Sequence, residues 1–318
     1  MQTPPRGLPD DAVLEAVRAG WDPGAGSLTH LPVGYGSHHW ATTGADGRRW
    51  FVTADATPDD ASAARLAAAY GVPAAARAHG VAGAHGPVAA ADGALLHRVG
   101  PWSVSVQPWL DGTAGGFSDR WADADAEAVV RLLAALHAVD AARTPAPLED
   151  PALPGRDGLE VALDRCGRGE PLAGGPLAGA VAEALHSHLD AVRQALGEDA
   201  AGTSGAADGV LTHGEPHPGN VVRTADGPVL VDWDTARRAE PERDLWLVAA
   251  RTDIDVTALY ADLAGRVPSP GRMRWRERRW ALADVAAYVV ELAAAPAPDA
   301  DTAWQLRSLR ATLAGLDG

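Results

Sequence analysis

The segment His213-Gly214-Glu215-Pro216-His217-Pro218-Gly219-Asn220, followed by Val229-Leu230-Val231-Asp232-Trp233-Asp234, constrains this chain more than any other stretch. It sets an acid, Glu215, ahead of an amide, Asn220, and then a second acid, Asp232. Residues 220–223 and 229–231 are short strand-like runs, and Asp226-Gly227 between them signals a tight hairpin. Antiparallel pairing about that turn sets Asn220 roughly opposite Val231, so its amide lies beside Asp232. Two oxygen ligands converging at one end of a hairpin suit Mg²⁺, which takes few protein ligands and leaves the rest to water and phosphate. The hairpin alone reads equally well as an ordinary surface turn with polar ends. The spacing from His213 to Asn220 separates the two readings, because it is the spacing a metal-dependent phosphoryl-transfer site needs.

These residues resemble the loop H-G-D-x-H-x-x-N and the following I/V-D-W/F segment of the aminoglycoside phosphotransferase family, the kinase-like small-molecule phosphotransferases. Glu215 stands where that family carries aspartate. Glu242-Arg243-Asp244-Leu245-Trp246 resembles the family's next stretch, P-x-x-D-L-W/A, and the tryptophans in both segments are similar to the spectinomycin phosphotransferase branch. The resemblance implies an α+β, two-lobed protein-kinase-like fold. A small β-rich N-terminal lobe with the hinge would occupy 1–110, and a larger, mainly helical lobe with the catalytic loop and substrate site 111–318. The resemblance makes Glu215 the catalytic acid and Asn220 and Asp232 the Mg²⁺ ligands, with ATP or GTP as co-substrate. His213 would be structural, and Asp244 would brace the catalytic loop by accepting backbone hydrogen bonds.

The N-terminal part fits the same scheme. Residues 31–55 read as strand, glycine-containing turn, strand, hairpin and strand. Gly34-Tyr35-Gly36-Ser37 would be the loop over the phosphates, where missing Cβ atoms let backbone N–H groups approach an anion. A third glycine is absent, and His39 sits where it would fall. Residues 102–112 resemble the last strand of the small lobe and the hinge, which places Gln107 and Trp109 at the adenine. The helical run ending in Leu136-His137 is amphipathic, and His137 reads as a packed or hydrogen-bonded helix residue.

The chain contains no lysine, so all 27 residues counted as Lys+Arg are arginine. Kinase-like folds place a lysine on the third strand, paired with a glutamate on the next helix. Thr53 occupies that lysine's place, and the helical stretch 61–78 has no acid. Joint loss makes physical sense, since either charge left alone and partly buried is costly. Arg65 is the first candidate to reach the phosphates instead; Arg48 and Arg49 are others.

Length and composition narrow the function classes. A chain of 318 residues with 47% hydrophobic content supports two lobes. A net charge of −15 argues against nucleic-acid binding and suits a cationic substrate. The single cysteine, Cys166, excludes an intramolecular disulfide and a cysteine-rich zinc site. His213 and His217 have the separation of a helical zinc pair, but Pro216, Pro218 and Gly219 oppose a helix there. No signal core or membrane-spanning run is visible, so a cytoplasmic protein without membrane partners is expected. Residues 10–19 read as a short helix, 144–158 and 197–209 as loops, 285–295 as helix, and 273–290 as a substrate wall. The expected function is transfer of a phosphoryl group from ATP or GTP to a small-molecule hydroxyl. Aminoglycoside-like antibiotics, amino sugars and choline-like alcohols are open as acceptors. The alternative is a catalytically impaired, pseudokinase-like protein that holds a ligand or partner.

Overall fold

The computed structural model describes residues 1–202 and 209–316. Helix α1 (Asp10–Gly20) leads into strands β1 (Thr29–Leu31), β2 (His38–Thr43) and β3 (Arg49–Ala56). Helices α2 (Asp60–Tyr70) and α3 (Val72–Ala78) follow, then β4 (His97–Val99), β5 (Trp102–Pro108) and α4 (Asp123–His137). Helices α5 (Arg156–Gly167), α6 (Ala178–His186) and α7 (Leu189–Ala201) precede β6 (Val210–Thr212), β7 (Val221–Thr224), β8 (Gly227–Leu230) and β9 (Arg237–Ala239). Helices α8 (Glu242–Ala249), α9 (Val256–Ala264), α10 (Pro270–Ala294) and α11 (Ala300–Leu316) come last.

Contacts divide the chain into two compact units, Met1–Glu149 with Ala206–Pro268 and Asp150–Gly205 with Ser269–Gly318. The first unit is built on an antiparallel sheet of order β1-β2-β3-β5-β4. Side chains alternate across a strand, so Trp40, Trp50, Val52, Ala54, Val104 and Val106 share one face and pack with Val13 and Val17 of α1. The opposite face receives His39, Phe51, Thr53, Asp55, Ser105 and Gln107, which the register sets side by side. Burial of the apolar set thus leaves the polar set to line a site. Hairpin β7–β8 pairs Val221 with Leu230 and Thr224 with Gly227, so the turn residues are Ala225 and Asp226, one step before the expected Asp226-Gly227, and the ladder continues to the expected Asn220 opposite Val231. The Leu230 N–H donates to the Gly83 carbonyl at 2.7 Å, and Trp233 Nε1 donates to the His85 carbonyl at 2.8 Å. Those bonds tie the segment bearing Asp232 to the chain that follows α3.

The second unit is helical, with α5, α6, α7, α10 and α11 around Leu159, Leu163, Val181, Leu185, Val285, Leu292 and Leu309. Arg279 Nη1 donates to Asp199 Oδ1 at 2.5 Å, and Nη2 to the carbonyls of Pro151 and Ala152 at 2.9 Å. Residues 273–290, read as a substrate wall, lie within α10, where Arg272 and Arg276 sit over the Trp275 ring.

Some boundaries differ from expectation. The helix expected over 61–78 is two, broken at Gly71, because Pro73 lies in the first turn of α3, where its missing N–H is tolerated, and cannot continue α2. Helix α5 starts at Arg156, inside the expected loop 144–158. Helix α7 continues through Gly197 to Ala201, and residues 203–208 of the second expected loop lie outside the described ones. Among the described residues, no helix is long and apolar enough to cross a membrane.

Candidate active site

The loop from His213 to Asn220 is held by a buried polar network. Asp244, at the start of α8, accepts the N–H groups of His213 at 2.9 Å and Gly214 at 2.6 Å. His137 Nε2 lies 3.0 Å from the same carboxylate and its Nδ1 2.9 Å from the Tyr260 hydroxyl. Burial works against ionisation of Asp244, but the hydrogen bond from His137 and the nearby His137, Arg243 and His213 hold it below the usual carboxylate range. His213 donates from Nε2 to the Val231 carbonyl at 2.8 Å and accepts the Glu215 N–H at Nδ1, 3.3 Å away. Burial lowers it to about 4, so this neutral tautomer persists at physiological pH. His213 therefore links this loop to the residue before Asp232. Gly214 adopts φ 106°, and a Cβ there would lie 2.4 Å from Arg243 Nη1, so only glycine fits.

Glu215 is half-buried at the turn of this loop, and its carbonyl accepts the Asn220 side-chain Nδ2 at 3.2 Å. That bond holds the amide through its nitrogen, so Oδ1 is the side-chain atom left to act as an oxygen ligand. The Val231 N–H donates to the Asn220 carbonyl at 3.0 Å, which carries the hairpin ladder one step further and sets Asn220 beside Asp232. Asp232 has φ 66°, a left-handed backbone that a non-glycine residue adopts at a cost. Solvent reaches Asp232 although protein packs closely around it. That crowding first, and then the charges of Asp234, Glu215 and Asp55, raise its carboxyl well above the usual range. Like charges gathered in this way favour a bound cation. Among the described residues, no three His, Cys, Asp or Glu side chains group to hold a metal by themselves. Asn220 and Asp232 would fit Mg²⁺, an ion that takes few protein ligands and would leave the rest to phosphate and water. His217 lies in extended backbone before a short 3-10 turn, not on a helix.

Gly34 and Gly36, in the turn expected over the phosphates, both have positive φ, 70° and 86°. Ser37 Oγ donates to Asp55 Oδ1 at 2.5 Å, and the Tyr70 hydroxyl donates to Asp55 Oδ2 at 3.0 Å. One carboxyl group thus joins the loop, β3 and α2. Thr53, in the lysine's place, pairs across the sheet with His39, in the third glycine's place. His39 Nδ1 lies 3.2 Å from Thr53 Oγ1, and burial lowers the imidazole to about 3. A neutral, hydrogen-bonded pair occupies these two positions. Arg65 lines a cavity of about 270 Å³ with Gly36, Ser37, Asp55, Asp234 and Arg237.

The structure brings Glu215, Asn220 and Asp232 together, and separately Gly36, Ser37 and Arg65. Gln107 lies opposite Phe51 on the same sheet face as Thr53. At the hinge, the Trp109 N–H already donates to the Arg49 carbonyl at 3.0 Å, and the Pro108 carbonyl is bonded to His85 Nε2 at 2.9 Å. The Trp109 ring carries the Arg49 guanidinium 4.0 Å from its centre and lines a different cavity, of about 570 Å³, with Trp21, Arg48 and Trp50. Sequence reasoning did not single out Asp55, Tyr70, Asp234 or Arg237. Asp234 was visible as the second acid of Asp-Trp-Asp, and the other three carry no local signal.

Asp55 supplies a test of this electrostatic picture. Burial is the largest cause raising it to about 7, opposed by the Ser37 hydrogen bond and assisted by Asp234. A carboxyl whose folded value exceeds its unfolded one stabilises the fold below pH about 4 and loses that contribution as pH rises through about 7. The loss amounts to a few kcal/mol at most. Thermal unfolding between pH 5 and 8 without divalent cations is therefore expected to show falling stability, with a shallower fall in Asp55→Asn. Identical slopes would remove Asp55 as the titrating group.

Comparison with known proteins follows the same lines. The model of the phosphotransferase enzyme family (APH) matches residues 27–277. Protein StrN of Streptomyces griseus is 31% identical over 230 residues, which span 68% of this chain and 66% of that protein. Spectinomycin phosphotransferase APH(9)-Ia, solved with ADP and spectinomycin, superposes with a TM-score of 0.74 at 12% identity, covering 98% of this chain and 99% of its own. The macrolide 2'-phosphotransferase MphH of Brachybacterium faecium gives a TM-score of 0.53 at 21% identity, covering 90% and 91%. The fold is the kinase-like one, with a small antiparallel sheet and a larger helical region.

Proposed function

The chain belongs to the phosphotransferase enzyme family, and from that premise we propose that it moves the terminal phosphoryl group of ATP or GTP to a hydroxyl of a small molecule. The observation that carries this reading is the convergence of Glu215, Asn220 and Asp232, fixed by the Asn220–Glu215 hydrogen bond and the crowded carboxylates around Asp232. Asn220 and Asp232 would hold Mg²⁺, which supplies charge neutralisation at the phosphates when bound. Glu215 orients the acceptor hydroxyl and takes its proton late, as the new P–O bond forms and the bond to the departing nucleoside diphosphate breaks. Phosphoryl transfer depends mainly on positioning and electrostatics, so a carboxylate on a longer stem than aspartate can serve. Gly34, Gly36 and Ser37 cover the phosphates, Arg65 supplies positive charge, and Gln107, on the sheet face that carries Thr53, borders the base, while Trp109 faces the other cavity. Thr53 lines the site without charge. His213 and Asp244 hold the loop that presents Glu215.

The acceptor is an aminoglycoside-like antibiotic or amino sugar. The likeness to spectinomycin phosphotransferase and the net charge of −15, which favours a cationic partner, both support this choice. Calorimetric titration of ATP and GTP with and without Mg²⁺, followed by product analysis with an acceptor panel, tests the reading. Mg²⁺-dependent binding and a phosphorylated acceptor are expected. Binding that ignores Mg²⁺ and yields no product would leave only a ligand-holding protein.

A further inference from the structure

Most arginines of the first unit that approach a carboxylate are paired with it. Arg243 meets Glu149 at 3.3 Å, Arg49 meets Asp111 at 3.3 Å and Arg120 meets Asp253 at 2.6 Å. Such pairing is expected in a chain with 42 acids and 27 arginines. Arg65 on α2 and Arg237 on β9 are different. They line one cavity of about 270 Å³, and among the described residues neither forms an ion pair. The two acids in that cavity do not supply one. Asp55 is engaged by the hydroxyls of Ser37 and Tyr70, and Asp234 offers Arg237 its backbone carbonyl.

Arg237 is half-buried and fixed. Its Nη1 donates to the carbonyls of Asp234 at 3.2 Å and Ala236 at 2.6 Å, so the turn before β9 orients the guanidinium plane. Burial, then repulsion by Arg243, make its charge less favourable; attraction by Asp234 opposes this, and the smaller influences of Arg65 and Glu149 act in opposite senses. A partly desolvated cation whose carboxylate neighbours form no ion pair with it gains further from an arriving anion. The remaining wall of the cavity includes Gly36 and Ser37, the turn with left-handed glycines suited to anions.

We infer that Arg65 and Arg237 form a two-guanidinium site for an oligophosphate, with Arg237 as the fixed arm and the exposed Arg65 as the mobile one. Its identification with the β- and γ-phosphates rests on the nucleotide reading proposed above; the anion site itself rests on the cavity and the unpaired arginines. Two planar forks take over the work of a strand lysine that a lysine-free chain cannot supply.

Calorimetry with sodium tripolyphosphate, ATP and adenosine on the wild type, Arg65→Ala, Arg237→Ala and Arg237→Lys tests it. Each alanine variant is expected to lose about tenfold or more in affinity for tripolyphosphate and ATP, with adenosine unchanged. Arg237→Lys should recover part of the loss, because charge returns without the fork. Melting curves accompany each variant; if Arg237→Ala does not fold, the exposed Arg65→Ala and the charge-keeping Arg237→Lys carry the test. Tripolyphosphate affinity that neither arginine affects, or an equal loss for adenosine, overturns the inference. Should ATP be bound and transferred with unchanged affinity in both alanine variants, the inference fails while the phosphotransferase reading stands. Arginine-dependent tripolyphosphate binding in a protein that never turns over ATP would preserve the anion site and sink the nucleotide reading.

Discussion

Replacing Glu215 by glutamine is expected to lower turnover about a hundredfold or more while nucleotide affinity barely changes. Glutamine keeps the size and a hydrogen-bonding oxygen of the side chain but cannot take the acceptor's proton. The backbone bonds that fix this position are untouched, since the Glu215 N–H goes to His213 and its carbonyl receives Asn220. Metal and nucleotide sites should therefore survive the change, and the loss should fall on kcat. Steady-state kinetics with nucleotide and acceptor varied in turn would check it. Equal turnover would place the acid elsewhere.

Asp232→Asn should abolish the Mg²⁺ dependence of nucleotide binding. Loss of one negative charge weakens a hard-cation site built on only two protein oxygens. The same substitution should not weaken the metal-free fold. Asp232 sits among Asp234, Glu215 and Asp55, whose charges oppose its own, so removing its charge relieves repulsion. Titration of ATP with and without Mg²⁺, alongside melting curves without divalent ions, separates the two effects. An affinity that still rises with Mg²⁺ would move the metal away from Asp232.

The parts of this site that were legible in the sequence are those set by local geometry. The hairpin around Ala225 and Asp226, with Gly227 opening β8, sets Val221 opposite Leu230, and that register puts Asn220 beside Asp232. The family's brace was foreseen from Asp244, and the structure places its carboxylate on the His213 and Gly214 N–H groups. A second contact turns on the length of a turn. The three residues 45–47 separate Gly44 from Arg48 and so pair His39 with Thr53, whereas a two-residue turn at Asp46-Gly47 would pair His39 with Ala54. The two departures from the kinase-like pattern were noted singly and are one hydrogen-bonded pair. Other features depend on tertiary approach and leave no local mark. The bond from Tyr70 at the end of α2 to Asp55 on β3 is of this kind, as is the meeting of Arg237 with Arg65 in one cavity. Likewise, helices from 150–205 and 269–318 share one core across a long stretch of intervening chain, which no periodicity within either segment reveals.

The central claim is that Glu215, Asn220 and Asp232 direct a nucleotide's terminal phosphate onto a small-molecule hydroxyl. Its most direct test is a single-turnover reaction with γ-labelled ATP or GTP, Mg²⁺ and a panel of amino sugars and aminoglycosides, resolved by product. The predicted result is label on an acceptor hydroxyl, equal in amount to the nucleoside diphosphate formed and largely absent with Glu215→Gln. Transfer at the same rate in the wild type and Glu215→Gln would contradict the account, as would label that stays on a nucleotide bound with full Mg²⁺ dependence whatever acceptor is offered.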